Sequence, residues 1–311
     1  MASNMSENKL LNILTDMKHY HKGYAEYCRK TTKWQELQKW TECAEFESNV
    51  VTNLSKKLSG QMDQQIRVLG VGSGDGILEI YQLQKLAAKF PKISASVVEP
   101  SELITKYKDT AGRNPVADNI TFEWHHRTFD EYLACNGYDK KYHFISVVHA
   151  VYFLGDPEVF MKKLYKLLEP GGVLLLILLT DHTGSGSIPL HQSGLKDDTT
   201  TNNFVNSSQV KATLEKLQIE YTQSMYTEST DITDFITNDN SEEGDLLLDF
   251  LTYTINFKKS APDDVRDRMM HHFKQGSRIE KTGDGDEKIY FKATCDILFV
   301  TKREYAGEYA K

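Results

Sequence analysis

Short apolar runs alternate with helical patterns through the middle of the chain, and this alternation limits the possible folds more than any other feature. Runs rich in valine, isoleucine and leucine predict five buried strands, at 66–71, 93–98, 120–124, 144–148 and 173–179. Between the runs, apolar residues recur at helical spacing, and Pro157 stands at the first position of one such helix. Strands that alternate with helices predict an α/β protein with a mostly parallel sheet and helices on both faces.

The segments on either side of this core have other patterns. Residues 1–62 are predicted to be helical, with one apolar stripe formed by Leu37, Trp40, Ala44, Val51, Leu54 and Leu58 and a stop at Gly60. Residues 181–206 predict a long polar loop. After it we expect a helix at 210–217, a strand at 219–226, helices near 242–251 and 263–273, a turn at 282–285 and strand structure over 289–301. The domain prediction is therefore 1–62, 63–180 and 181–311.

Composition excludes several classes of function. The net charge of −7 argues against binding nucleic acid or anionic lipid through a positive field. No apolar run approaches the ~20 residues that a bilayer requires. The four cysteines lie far apart, and no histidine or carboxylate spacing is typical of a metal site. These observations predict a cytoplasmic protein of enzyme size that binds no nucleic acid, spans no membrane and holds no metal, and we expect a monomer.

A glycine turn after the first predicted strand is the most informative motif. Gly72, Gly74 and Gly76 have the spacing G-x-G-x-G, which differs from the G-x-G-x-x-G of dinucleotide-binding proteins. Such a turn lets main-chain N–H groups approach a ligand, although ordinary tight turns share the pattern. Glu99 and Pro100 follow the second strand, where a carboxylate can accept both ribose hydroxyls of a nucleoside. The alternative is a solvated acid that precedes a helix.

Together with Pro170-Gly171-Gly172 before the fifth strand, these motifs resemble the class I S-adenosylmethionine-dependent methyltransferases. Further segments, which that fold does not require, resemble the histamine N-methyltransferase family: 97–101, 106–108, 244–252, 256–257 and 261–262. The resemblance implies a Rossmann-like seven-stranded sheet with an antiparallel last strand. It also implies S-adenosylmethionine as cofactor and methyl transfer to a nitrogen of a small amine or imidazole. The three predicted domains then become a helical lid, a cofactor-binding core and a substrate-binding subdomain that completes the sheet.

The resemblance also assigns roles to individual positions. Gly72, Glu99 and Val148 match cofactor contacts, and Thr128 and Phe129 continue a region near the adenine. For the acceptor, Phe250 matches one aromatic wall of the pocket, and Phe153 stands where the family has a tyrosine wall.

The positions that hold histamine in the family are changed in this chain. Lys33, His149 and Ala293 replace a glutamate, a glutamine and an asparagine. A lysine repels an ammonium group and attracts a carboxylate, which favours an acceptor such as histidine or a histidine dipeptide over histamine. Two alternatives remain open: Lys33 points into solvent, or a shifted alignment lets Glu36 supply the acid.

His149 and the nearby aromatic residues are the other candidates. At the end of the fourth strand, His149 is a candidate general base or hydrogen-bonding partner, and a buried histidine satisfied by the backbone is the alternative. Trp34, with Tyr20 and Tyr24, could face a cationic acceptor or simply pack between helices. Other function classes left open are a non-catalytic cofactor-binding relative and an NAD-dependent oxidoreductase, which the glycine spacing disfavours.

Overall fold

The computed structural model describes residues 10–59, 65–114, 119–183, 205–281, 283 and 285–303. Three predictions fall wholly or partly outside these ranges. They are most of the polar loop at 181–206, the helix stop at Gly60 and half of the turn at 282–285.

The N-terminal segment is helical, as predicted, but it is not one continuous helix. It consists of α1 (Met17–Lys30), α2 (Lys33–Thr41), α3 (Ala44–Phe46), a π-helical turn (Glu47–Thr52) and α4 (Asn53–Lys57). The chain leaves the helix at Glu42 and Cys43. The predicted apolar stripe is buried apart from Ala44, which is exposed. Ala44 begins a new helix after this break, so it is out of phase with the apolar residues before it.

Five parallel strands form the predicted core of the sheet. They are β1 (Ile66–Val71), β2 (Ile93–Val98), β3 (Ile120–His125), β4 (Tyr142–Val148) and β5 (Leu168–Leu179). They pair side by side in the order β3-β2-β1-β4-β5. The register between β4 and β5 shifts where Pro170-Gly171-Gly172 lies, so this motif is a bulge inside β5. Parallel strands place their carboxyl ends at one edge of a sheet, and ligands of open α/β folds bind there.

Three later strands complete the sheet. They are β6 (Thr222–Asp231), β7 (Ser277–Lys281) and β8 (Glu287–Thr301), with β8 beside β5, then β6 beside β8. The Gly171 amide donates to the Lys302 carbonyl, whereas Thr180 donates to Thr294, so β8 runs antiparallel to β5. The α/β prediction and the seven-strand path are confirmed. The structure adds β7, a short eighth strand in a hairpin with β8.

The remaining helices follow the predicted alternation and then the predicted C-terminal helices. They are α5 (Ile77–Ala87), α6 (Leu103–Gly112), α7 (Phe129–Asn136), α8 (Pro157–Leu167), α9 (Ser207–Lys216), α10 (Thr233–Thr237), α11 (Glu242–Thr252), α12 (Phe257–Ser260) and α13 (Asp263–Gln275). None of the helices in the described ranges is both long and apolar enough to cross a bilayer.

Contacts between residues divide the described chain into two compact units. Unit 1 takes its residues from Met1–Lys33, Leu179–Phe204 and Thr227–Thr294, and unit 2 from Trp34–Leu178, Val205–Tyr226 and Cys295–Lys311. Strands β6 and β8 each begin in one unit and end in the other. Unit 1 has its own core, in which Phe235, Leu248 and Phe273 are almost fully buried. The predicted division into lid, core and substrate subdomain stays a prediction about function.

Candidate functional site

The glycine turn at the end of β1 has the backbone shape that only glycine adopts readily. Gly72, Gly74 and Gly76 all have positive φ, at +65°, +57° and +75°. A Cβ on Gly72 would overlap Ala150, and one on Gly76 would overlap the Tyr107 ring. Around the position of a Cβ on Gly74, no atom of the described chain lies within 4 Å. The turn is therefore closed on two sides and open over Gly74.

Glu99 lies directly after β2 and is tied to this turn. It is 6% exposed, and its Oε2 accepts the Gly74 N–H at 2.8 Å. Its Oε1 accepts the Ser101 N–H at 2.9 Å and the Ser101 hydroxyl at 2.6 Å. Carboxylate oxygens each carry two lone pairs, so Oε2 can accept one more hydroxyl while Gly74 stays bonded. This geometry fits a nucleoside whose ribose lies against Glu99 and whose tail runs over the open main chain at Gly74.

The other predicted cofactor residues lie at the ends of neighbouring strands. Pro100 is exposed beside Glu99, and Val148 is the last residue of β4, half-buried and in register with Ile177 of β5. Thr128 caps α7, where its hydroxyl donates to Glu131 Oε2 at 2.9 Å and accepts the Glu131 N–H at 3.2 Å. Phe129 is 5% exposed, so its ring is already covered. Its predicted contact with an adenine stays a prediction.

His149 follows β4 directly and has both ring nitrogens near tyrosine hydroxyls. Its φ is +51°, and its amide donates to the Ile177 carbonyl at 2.8 Å, which fixes the strained backbone. Nε2 lies 2.6 Å from the Tyr226 hydroxyl and Nδ1 lies 3.4 Å from the Tyr152 hydroxyl. Both of these contacts are with side chains rather than with the backbone. Tyr226 was missed from the sequence, because a tyrosine at the end of a weak strand pattern carries no functional signal.

In unit 1, Lys33 is buried rather than solvated. The residue is only 6% exposed, and its Nζ lies 5.7 Å from the centre of the Tyr27 ring. The alternative in which Lys33 points into solvent is therefore wrong. The Tyr27 ring stacks on Phe250 at 5.0 Å, so a cation and an aromatic wall share one part of this unit.

Aromatic rings surround Phe250 on α11. Tyr20 and Tyr24 of α1 stack on each other at 6.2 Å, and each lies within 6 Å of the Phe250 ring. Of the remaining predicted acceptor residues, Ala293 is buried in β8 and offers only a methyl group. In unit 2, Trp34 is half-buried at the start of α2, and Phe153 is 50% exposed in a short helical turn.

Glu228 of β6 was not predicted from the sequence. It is 2% exposed, and its Oε1 accepts a hydrogen bond from the Tyr27 hydroxyl at 2.5 Å. The surrounding stretch is polar and shows no clear alternation, so nothing in the sequence separates this acid from a surface one. Only the pairing of β6 with the segment after α1 makes it part of the site.

Comparison with known proteins bears on the family of the chain. Residues 44–224 match the family model of a methyltransferase domain. Histamine N-methyltransferase A of Xenopus laevis is 29% identical over 309 residues, which cover 94% of this chain and 99% of the relative. Histamine N-methyltransferase of Mus musculus is 30% identical over 299 residues, which cover 93% and 97%.

Among solved structures, a putative methyltransferase from Bacillus halodurans has a TM-score of 0.48 and 16% identity, over 81% of this chain and 100% of that one. The match of the family model and the near full-length similarity to curated relatives are the findings that identify the family. The chain belongs to the class I S-adenosylmethionine-dependent methyltransferases and is related to the histamine N-methyltransferases over nearly its whole length.

Proposed function

We propose that this methyltransferase methylates a nitrogen of a small amine or imidazole compound. The observation that carries the proposal is the hydrogen bond between Glu99 and the open glycine turn at Gly74, an arrangement that fits a nucleoside. When bound there, S-adenosylmethionine supplies an electrophilic methyl group on a sulfonium. The names of the curated relatives support nitrogen as the acceptor atom.

In this proposal the cofactor is held mainly by main chain and one acid. Gly72, Gly74 and Gly76 bring the backbone close to the cofactor tail, and Glu99 Oε2 accepts one ribose hydroxyl. Pro100, Thr128, Phe129 and Val148 line the remaining edge. Much of the rate enhancement then comes from the orientation of the two reactants, because in-line displacement at a sulfonium needs little other catalysis.

His149 is proposed to act on the acceptor nitrogen. An alkylammonium must lose a proton before it can attack, whereas a neutral imidazole already has a lone pair at pH 7. His149 accepts that proton, or else orients the nitrogen by a hydrogen bond. The Tyr226 hydroxyl, 2.6 Å from Nε2, fixes the ring in either case.

The acceptor is proposed to carry a carboxylate, as histidine or a histidine dipeptide does. Lys33 is buried against an aromatic ring, where a positive charge attracts an anion more strongly than it does in water. In unit 1, Phe250 supplies a flat apolar wall for an imidazole. In unit 2, Phe153 and Trp34 keep their predicted roles toward the acceptor. Ala293 offers only a methyl group at the position where the family has an asparagine.

Two measurements test the proposal. First, S-adenosylhomocysteine should raise the melting temperature of the protein. Second, histamine, histidine and a histidine dipeptide should be incubated separately with the protein and methyl-labelled cofactor. Turnover of a carboxylate-bearing acceptor above histamine supports the proposal. Robust turnover of histamine alone contradicts the role of Lys33.

Family membership removes the NAD-dependent oxidoreductase from the alternatives. The non-catalytic relative remains as an outcome of the same experiment. It is the correct reading if S-adenosylhomocysteine binds and no acceptor in a broad set of amines and amino acids becomes methylated. We also propose that the protein acts in the cytoplasm, in line with the wide spacing of its cysteines.

A further inference from the structure

We propose that Glu228 and Lys33 together select a zwitterionic acceptor, with Glu228 binding its cationic group and Lys33 its carboxylate. This inference rests on the proposed function and deepens it, because it adds a second charged residue that sequence reasoning did not find. It narrows the expected substrate class from any imidazole that carries an acid to one that carries an ammonium group as well.

The backbone places the two residues next to one short antiparallel pairing. Thr31 forms an antiparallel bridge with Thr230. One residue further, the Thr32 amide donates to the Ser229 carbonyl at 2.8 Å, and the Ser229 amide donates to Thr32 Oγ1 at 2.9 Å. Lys33 follows Thr32 at the start of α2, and Glu228 precedes Ser229 in β6, so the two residues flank this short pairing on the same side.

Tyr27 connects the two side chains. Its hydroxyl donates to Glu228 Oε1 at 2.5 Å, while Lys33 Nζ lies 5.7 Å from the centre of its ring. All three residues are less than 10% exposed. A carboxylate and an ammonium group are costly to bury, so a pair kept among tyrosines is a candidate for a binding function rather than for stability. Tyr27 is a positioning residue in this arrangement, since it holds Glu228 through a hydrogen bond.

The aromatic rings beside the pair suit the body of such an acceptor. Phe250 stacks on Tyr27, and Tyr20 and Tyr24 flank it. Flat rings at these distances offer a face to an imidazole or an aromatic amine.

The proposal predicts a distinct order of affinities. Histidine carries both charges, histamine only the ammonium group, and imidazole-4-acetate only the carboxylate. Histidine should bind at least about 10-fold more tightly than either of the others, because a hydrogen bond to a charged group contributes about that factor or more. A site built for a plain cation would bind histamine best.

The test is calorimetric titration of the protein, saturated with S-adenosylhomocysteine, with these three compounds. Glu228→Gln should weaken the binding of histidine and of histamine about 10-fold or more, and the binding of imidazole-4-acetate should be unchanged or tighter. Lys33→Gln should weaken the binding of histidine and of imidazole-4-acetate, again about 10-fold or more, and the binding of histamine should be unchanged or tighter. The double variant K33Q/E228Q removes both charges, so no single charge is left buried without its counterpart. It should abolish the preference for histidine.

Lys30→Gln is the matched control, since Lys30 lies on α1 and pairs with Asp234 in the same unit. It should leave all three affinities unchanged. The inference is overturned if the wild-type protein binds histamine best or binds none of the three. It is also overturned if both single variants weaken all three compounds by one common factor, as a purely structural pair would.

Methyl transfer measured in parallel separates this inference from the proposed function. If the protein methylates an acceptor whose affinity is the same in wild type and in both single variants, only the Lys33–Glu228 inference is overturned. Charge-selective binding of the three compounds without methylation of any amine overturns the proposed function and supports the charged pair.

Discussion

Replacing Glu79 by glutamine should stabilise the protein above neutral pH and have little effect in acid. Glu79 lies on α5, is 6% exposed and rests against Gly70, where a Cβ would overlap its carboxyl group. Within the described part of the chain, Glu79 Oε1 has no hydrogen-bond partner of normal geometry. Burial therefore dominates and raises the pKa of Glu79 to about 7, although the nearby Ser73 and Tyr107 hydroxyls lower it in part.

The sign follows from which state binds the proton more tightly. The folded protein holds a proton on Glu79 up to about pH 7, whereas the unfolded chain releases it near 4.5. Stability is therefore fully present below about pH 4.5 and is lost as the pH rises through about 7. With ~1.36 kcal/mol per pKa unit, the ionised carboxyl costs about 3 kcal/mol at high pH. About 2.5 kcal/mol of this change falls between pH 5 and pH 8.5.

Urea unfolding or thermal melting at several pH values between 5 and 8.5 measures this effect. The melting temperature of Glu79→Gln should rise relative to wild type by roughly 5 °C across that window. Glu123→Gln is the control. Burial raises the pKa of Glu123, but the hydrogen bond and charge of Lys140 outweigh it, so the net shift is downward and Glu123 stays ionised throughout. A difference between Glu79→Gln and wild type that stays constant with pH would refute the reasoning.

Three further variants test the sheet edge and the core. Burial lowers the pKa of His143 to about 4, so its contribution to stability is complete above about pH 6.5 and is lost as the pH falls through 4. His143→Asn can still accept the Arg67 N–H, so it should remove this loss of about 3 kcal/mol in the free energy of unfolding at acid pH, measured by urea unfolding. A variant whose unfolding free energy depends on pH as the wild type's does would contradict this. Glu99→Gln should weaken the binding of S-adenosylhomocysteine about 10- to 100-fold in calorimetry, because a charged hydrogen-bond acceptor is lost. An unchanged Kd would show that Glu99 does not contact the cofactor. His149→Gln should lower kcat about 100-fold or more and remove the acid limb of the pH–rate profile, and a profile identical to wild type would exclude a base.

The strands of the core could be predicted from the sequence because their signal is local. The runs at 66–71 and 93–98 match β1 and β2 residue for residue, since a strand buried on both faces is apolar throughout. β6 begins and ends later than predicted, at Thr222–Asp231, because its residues are mostly polar and its pairing rather than its composition defines it. The break after α2 was missed because the apolar spacing continues across it.

Of the two charged residues of the site, only Lys33 could be predicted from the sequence. Lys33 stood out because it departs from the resembling family, but its burial depends on neighbours about 200 residues away in the chain. Glu228 showed no signal, since a lone acid in a polar stretch is usually solvated. The roles assigned to the cofactor and acceptor residues stay predictions until ligands are tested.

The position of β8 in the sheet affects how the chain can reach its final form. β8 lies between β5 and β6, although it is made last of the three. During synthesis the edge of β5 therefore stays without its partner strand β8, and β6 has no partner strand among the described strands of the sheet, until the chain has been made up to residue 301. The sheet closes by insertion of a late strand into its interior, a non-local step that favours slow completion and dependence on chaperones.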